Sequence, residues 1–206
     1  FVMIAFMIIV MKKSGKFNVY LVRLKFAEIK KSVFRKIIKL GFPTALQMLF
    51  EVGLFTASIL LAGTLGAYPQ AANQIALKLA STTFMIAVGV GVAATVRVGN
   101  QKGLKNYVEL RRIAFSNFLL ILIIMCAFSI GFIVLKDVLP YMFTDNIEVI
   151  EIASGLLIIA GIFQLSDGLQ AVILGGLRGL QDVNVPSLLT FIAYWIVGFP
   201  ISYYLG

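Results

Sequence analysis

Long apolar runs alternate along this chain with short segments rich in Lys, Gly or Pro. Most of the runs reach 20 residues or more, the length that an α-helix needs to cross ~30 Å of hydrocarbon. The run over 113–135 contains no charged residue at all. The pattern predicts an all-α, polytopic transmembrane helical bundle. Its expected spans are the end of one helix over 1–11 and then five more over 37–63, 71–96, 113–135, 149–177 and 186–206.

Helix breakers and polar segments set these boundaries. Pro43 is expected within the first turns of its helix, where its missing N–H costs least, and Gly and Pro predict a turn over 65–69. The basic segment 12–36 is expected to be a linker that contains a short amphipathic helix at the membrane surface. Because the chain begins and stops within apolar runs, we expect it to be a piece of a longer protein.

Composition supports the membrane assignment. The chain is 60% hydrophobic and 13% charged, whereas a soluble domain is nearer half apolar and a quarter charged. So few polar side chains cannot cover a globular surface, which indicates that lipid covers much of this one.

The net charge of +9 reflects topology rather than a nucleic-acid partner. Sixteen of the 18 basic residues fall in 12–39, 97–112 or 178–182. The loop 136–151 on the opposite side carries four acidic residues. The positive-inside rule therefore places the loops 12–36, 97–112 and 178–185 in the cytoplasm of a plasma-membrane (inner-membrane) protein.

Two residue types limit the chemistry. The chain has no histidine, which removes His-based proton relays, His-ligated zinc and nucleophile–His pairs. Its single cysteine, Cys126, lies in an apolar run, so a disulfide framework is excluded. Neither an enzyme nor an organic cofactor is indicated.

Two acidic residues, Glu51 and Asp167, lie near the middle of predicted spans. A carboxylate at the centre of a bilayer costs on the order of 3 kcal/mol, so such residues usually face a protein interior and mark ion or substrate pathways. The alternative is that they only join helices through hydrogen bonds. The first interpretation is favoured.

Amide side chains share the faces of these carboxylates. Gln47 precedes Glu51 by one turn, while Gln164 and Gln170 flank Asp167 at three residues on either side. Carboxylate and amide oxygens suit a hard monovalent cation or a shared proton, and they provide no site for a soft transition metal.

Other features of the last two spans have structural interpretations. Small residues at intervals of seven predict a groove for close helix packing: Ser154, Gly161, Gly168 and Gly175. Arg178 lies ~16 Å along the helix from Asp167 and is expected to be a cytoplasmic anchor. Tyr194 and Trp195 are expected to serve packing rather than substrate stacking.

Several of these segments resemble the multidrug and toxic compound extrusion family, in its NorM-type branch. The resemblance covers essentially the whole chain and rests on the segments LGFP–FE (40–51), AANQIA (71–76), GVGVAA–VRVGN (89–100) and Asp167 followed by GGLRG (175–179).

The resemblance implies an antiporter of two six-helix lobes, of which this chain is part of the second. Glu51 and Asp167 match the acidic residues of that lobe's cation site, where Na⁺ or H⁺ would be the coupling ion. Gln47, Gln74, Gln164 and Gln170 are possible members of a supporting polar shell. The implied partners are membrane lipids, cationic amphipathic small molecules and an amino-terminal lobe.

The function expected from both lines of reasoning is secondary multidrug efflux by alternating access. A lipid-linked saccharide flippase of the same superfamily would need central arginines, and a membrane enzyme would need a clustered nucleophile, base or metal. A non-transporting scaffold is disfavoured by the carboxylates in mid-span.

Overall fold

The computed structural model describes residues 2–13 and 31–205, and the elements within these ranges are helical. The predicted all-α fold is confirmed. Seven α-helices follow one another in these ranges: α1 Val2–Lys13, α2 Lys31–Thr64, α3 Ala67–Gly103, α4 Tyr107–Val134, α5 Ile147–Gly179, α6 Asn184–Phe191 and α7 Phe199–Leu205. A 3₁₀ turn over Leu139–Met142 precedes α5, and a π-helical segment, Ile192–Gly198, joins α6 to α7.

The chain divides into two units, Phe1–Lys39 and Leu40–Gly206. The first contains α1, a 12-residue apolar helix, and the first residues of α2. The second contains the rest of α2 and all later helices. The predicted surface helix in the linker falls mostly on residues 14–30, which lie outside the described residues.

Polar caps and a glycine set the ends of the long helices. The Asn106 side chain accepts a hydrogen bond from the Glu109 N–H at the start of α4, and Asn146 accepts from two N–H groups at the start of α5. These side chains satisfy donors that a helix leaves unpaired at its N-terminus. Between α2 and α3 the chain reverses at Gly66, whose φ of 118° is accessible to glycine without strain.

The helices are longer than the apolar runs that predicted them. α2 begins at Lys31, six residues before the expected start, and α3 continues to Gly103, seven residues past its expected end. Pro43 is therefore not in the first turns of its helix, as predicted, but inside it. The Ser187 hydroxyl lies 2.8 Å from the Pro43 carbonyl oxygen, which joins α2 to α6 at this position.

The core of the second unit lies where α3, α4 and α5 pack together. Its best-buried cluster combines small residues of α3 with larger ones of α4 and α5: Ala87, Ala94, Ile121, Met125 and Val172. Helices α3 and α5 approach so closely that backbone meets backbone. A Cβ atom on Gly91 would lie 2.9 Å from the Ala171 carbonyl oxygen, and one on Gly179 would lie 2.6 Å from that of Thr95.

The row of small residues in α5 serves two neighbouring helices rather than a single one. Gly161 and Gly168 face Ser129 and Met125 of α4, whereas Gly175 faces Gly91 of α3. The row therefore does not form the single groove that its straight spacing predicts, because α5 packs between α3 and α4.

Five segments of the described chain are long and apolar enough to cross a membrane: Lys31–Thr64, Ala67–Gly103, Tyr107–Val134, Ile147–Gly179 and Asn184–Tyr204. Many of their large apolar side chains are exposed, including Phe42, Phe115 and Ile130 at more than 60%. Such a surface is stable in contact with lipid and not with water.

Candidate functional site

The two carboxylates predicted as the site come from different helices, Glu51 from α2 and Asp167 from α5. Asp167 is buried, with 8% of its surface exposed, and Glu51 is half-buried. Twelve residues separate Asp167 from the end of α5 and thirteen separate Glu51 from the end of α2, so each lies ~18–20 Å along its helix from that end. Phe55, one turn after Glu51, and Phe163, one turn before Asp167, have ring centroids 6.1 Å apart, so the two carboxylates lie where α2 and α5 face each other.

Asp167 has a free oxygen. Its Oδ1 is buried and has no hydrogen-bond partner among the described residues. One turn earlier on α5, Gln164 is 3% exposed and its Nε2 is also without a partner there. The Gln164 Oε1 lies 2.7 Å from the hydroxyl of Thr83 on α3. Buried polar atoms without partners are uncommon, and they cluster where a ligand or water completes the site.

A second set of hydrogen-bonded polar side chains joins α2, α5 and α6. Gln47 is 2% exposed, and its Nε2 donates to the Thr190 hydroxyl at 3.2 Å. Its Oε1 accepts a 3.1 Å hydrogen bond from an Nη atom of Arg178. Gln47 thus shares a face with Glu51, as predicted, and both polar atoms of its amide are bonded to other helices.

Arg178, which was predicted to be a cytoplasmic anchor, is bonded inside the protein. Its side chain is half-buried and bonds to Gln47, one turn before Glu51 on α2. Side chains of an α-helix point towards its N-terminus, so this long side chain reaches back from the last turn of α5 towards the carboxylates. Glu51 therefore has a cationic neighbour.

Gln170 and Tyr194 form a third polar contact. The Gln170 Nε2 donates to the Tyr194 hydroxyl at 2.7 Å, which joins α5 to the π-helical segment. The next residue, Trp195, donates its indole N–H to the Phe50 carbonyl at 3.3 Å, and its ring lies against Gly53 of α2. Trp195 therefore contacts α2 on both sides of Glu51 in the sequence.

Gln74 is the one proposed shell residue that the structure leaves apart. It is exposed, near the start of α3, and within the described part of the chain the hydrogen bonds of the other amides do not involve it. The sequence did not reveal three residues that bond to these amides: Thr83, Thr190 and Arg178.

Two grooves of about 330 Å³ each border α5, and neither is lined by Glu51 or Asp167.

The donor set limits which ions this site can hold. Across residues 2–13 and 31–205 no three His, Cys, Asp or Glu side chains come together as metal ligands do. Two carboxylates with nearby amide and hydroxyl oxygens suit a hard monovalent cation or a proton.

Comparison with known proteins gives consistent matches. The MatE family model matches residues 43–204. Multidrug resistance protein NorM of Aliivibrio fischeri is 38% identical over 177 residues, which cover 86% of this chain and 38% of that protein. NorM of Photobacterium profundum is 35% identical over 196 residues, 95% of this chain and 42% of that protein. Multidrug resistance protein MdtK of Proteus mirabilis is 38% identical over 172 residues, 84% of this chain and 38% of that protein.

Fold and polar interior together define a multi-pass helical membrane protein with ionisable groups buried between its helices. Within that class, the chain belongs to the MatE family, the multidrug and toxic compound extrusion family, and its relatives are of NorM type. The chain spans about two fifths of the length of the relatives described above.

Proposed function

We propose that this chain forms part of the second lobe of a secondary multidrug antiporter, which exports organic cations as Na⁺ or H⁺ enters. Its relatives are named as multidrug resistance proteins, and we propose no catalytic activity for this chain. The coupling ion is a transported substrate, and the site needs no organic cofactor.

The observation that carries this proposal is that Glu51 of α2 and Asp167 of α5 lie where these two helices face each other. Two carboxylates on facing sides of neighbouring helices repel in a medium of low dielectric, and a bound cation removes that repulsion. Each carboxylate is expensive at membrane depth unless it is compensated. Arg178 offsets part of the charge of Glu51, whereas Asp167 retains a buried oxygen without a partner.

Alternating access follows from linkage. A cation that binds one conformation more tightly shifts the balance towards it, and an organic cation that competes for the same carboxylates is then released. One elementary charge that enters across ~100 mV supplies about 2.3 kcal/mol, a sufficient bias for such a shift.

The proposed partners are membrane lipids, cationic amphipathic molecules and an amino-terminal six-helix lobe, with which residues 1–11 and 12–36 would connect this one. A lipid-linked saccharide flippase would use free basic groups to bind phosphate. Arg178 does not suit that role, because it is bonded to Gln47 and lies beside a single acidic residue, Glu51.

Substitution of each carboxylate in the full-length protein tests this proposal. Glu51→Gln and Asp167→Asn are each expected to lower counter-ion-driven efflux of a fluorescent organic cation at least tenfold in liposomes, because neither amide can carry the charge. Glu148→Gln is the matched control, since Glu148 is an exposed acid in the first turn of α5. Wild-type efflux by both folded variants would exclude the carboxylates as the coupling site.

We also propose that the protein lies in the plasma (inner) membrane with the α3–α4 loop in the cytoplasm and the α4–α5 loop outside. The support is the charge asymmetry of the loops. Single cysteines at Leu104 and Asp145, both exposed, report on the two loops without removing the caps at Asn106 and Asn146. In a Cys126→Ser background, Asp145→Cys should react with an impermeant maleimide in intact cells and Leu104→Cys only after lysis. The opposite labelling would reverse the topology.

A further inference from the structure

Two unpartnered polar atoms lie one turn apart on the same face of α5. Gln164 Nε2 and Asp167 Oδ1 are both buried, and neither has a hydrogen-bond partner among the described residues. The side chains are 3% and 8% exposed. Residues at positions i and i+3 of a helix are neighbours on its surface. The same buried face of α5 therefore carries a donor and an acceptor that both lack a hydrogen-bond partner among the described residues.

The hydroxyl of Thr83 determines which way the Gln164 amide faces. Thr83 Oγ1 lies 2.7 Å from Gln164 Oε1 and 2.8 Å from the Ala80 carbonyl oxygen. A hydroxyl has a single hydrogen, so it cannot donate to both acceptors at full strength. As long as Oε1 faces Thr83, one of these two contacts has no hydrogen between its oxygen atoms. Both N–H groups of the Gln164 amide are then also without a partner among the described residues.

A half-turn of the amide group resolves this conflict. The oxygen and nitrogen of a glutamine amide exchange places on rotation by 180°, and the hydrogen-bond network decides between the two orientations. After the rotation, Gln164 Nε2 donates to Thr83 Oγ1 and Thr83 donates to Ala80 O, so both contacts become full hydrogen bonds. The Gln164 carbonyl oxygen then takes the buried position beside Asp167.

We propose that Gln164 is a direct ligand of a Na⁺ ion bound at Asp167, with its carbonyl oxygen held towards the ion by the hydroxyl of Thr83. The proposal rests on the function proposed above, and it adds a ligand and a positioning residue to the two carboxylates. Carbonyl oxygens replace the hydration shell of monovalent cations in selectivity filters. A buried carboxylate oxygen beside a carbonyl oxygen offers the same chemistry here. Gln164 touches the ion, whereas Thr83 acts through Gln164.

The arrangement also connects ion binding to a second helix. Thr83 is 6% exposed and lies on the face of α3 that packs against α5. An ion held by α5 through an amide that is fixed from α3 therefore stabilises the contact between these helices. A bound proton needs no such arrangement, because it resides on the carboxylate itself.

Sodium binding to the full-length protein tests the two roles. We expect Thr83→Val, which keeps the shape but removes the hydroxyl, to raise the Kd for ²²Na⁺ about tenfold, the effect of losing one buried hydrogen bond. Thr83→Ser, which restores the hydroxyl, should bind within about twofold of wild type. Gln164→Leu removes the ligand and should weaken binding more than Thr83→Val does.

A matched control is next to Thr83 in the chain. The Thr82 hydroxyl donates only to the Lys78 carbonyl of its own helix, at 2.9 Å, and Thr82 is exposed. Thr82→Val therefore removes the same chemical group one position away and should leave the Kd unchanged. Thermal unfolding of each purified variant separates a loss of binding from a loss of fold.

Asp167→Asn separates this inference from the proposed function. If Asp167→Asn abolishes Na⁺ binding while folded Thr83→Val and Gln164→Leu bind like wild type, Gln164 is not a ligand and the carboxylate site stands. A wild-type protein that binds no Na⁺ but loses proton-driven efflux in Asp167→Asn likewise overturns this inference alone. Unchanged efflux and Na⁺ binding in Asp167→Asn would overturn both.

Discussion

Gly175 is the position where α3 and α5 tolerate no side chain. A Cβ atom placed there would overlap the Gly91 carbonyl oxygen and lie 2.8 Å from its carbon and 2.9 Å from the Gly91 Cα. These atoms belong to a helix backbone, which cannot rotate away as a side chain can. Gly175→Ala must therefore push the two helices apart.

Three contributions set the size of the effect. Overpacking a close contact costs about 1–3 kcal/mol. Separation also stretches the 2.8 Å contact between the Thr95 hydroxyl and the Gly175 carbonyl, and an interhelical hydrogen bond in a membrane contributes roughly 0.6–1.7 kcal/mol. Alanine recovers about 1 kcal/mol through its higher helix propensity. The sum is a loss of about 1–4 kcal/mol in the free energy of unfolding.

At the next residue, Gly176, the same substitution should have the opposite effect on stability. A Cβ atom on Gly176 meets nothing within 4 Å, so Gly176→Ala should be neutral or stabilise by up to about 1 kcal/mol. Both variants would be made in the full-length protein and compared by thermal unfolding in detergent with a thiol-reactive or size-exclusion readout. A Gly175→Ala protein that unfolds at or above the temperature of Gly176→Ala would refute the close crossing of α3 and α5.

Two further contacts carry predictions about stability. Arg178→Met leaves the Gln47 Oε1 without its donor. The loss should lower the free energy of unfolding by about 1–3 kcal/mol. Unchanged thermal stability would show that the Arg178–Gln47 bond contributes nothing. Gln170→Leu and Tyr194→Phe each remove the 2.7 Å bond between these residues, so a double-mutant cycle should give a coupling of ~0.6–1.7 kcal/mol. Additive losses would contradict that bond.

Hydropathy predicted where the membrane helices lie but not where they end. The apolar run of α2 starts near Ile37, and yet the helix begins at Lys31. Backbone hydrogen bonding continues through charged residues until a breaker or cap stops it, whereas hydropathy detects only the part that contacts lipid. Pro43 consequently lies inside the helix, although the apolar run predicted a helix start only six residues before it.

The π-helical segment Ile192–Gly198 was not predictable from an apolar run. Its last turn includes a hydrogen bond from the Phe199 N–H to the Tyr194 carbonyl, five residues back. Pro200 follows directly and has no N–H to donate. The missing donor is visible in the sequence, but the choice between a kink, a break and a wider turn depends on packing against α2.

The members of the candidate site were proposed from the sequence, whereas their hydrogen-bond partners on other helices come only from the structure. Helical periodicity placed Gln47 with Glu51 and Gln164 with Asp167, because neighbours on one helix follow from spacing alone. The bonds to Thr83, Thr190 and Arg178 join different helices and depend on how these pack. A signal for Thr83 does exist, since it falls at the helical spacing of Ala76, Ala87 and Gly91, the buried face of α3.

The position of Trp195 provides an optical probe at the candidate site. It is the only tryptophan in these 206 residues, its indole N–H is bonded to the carbonyl of Phe50, and its ring touches Gly53. Glu51 lies between Phe50 and Gly53 in the sequence, so its carboxylate is within one helical turn of both contacts. Indole emission depends on the field and polarity around the ring, so neutralising that carboxylate or shifting α2 against the π-helical segment changes its wavelength and intensity. If an ion binds at Glu51 as proposed, we expect the fluorescence of Trp195 to report its occupancy without a label.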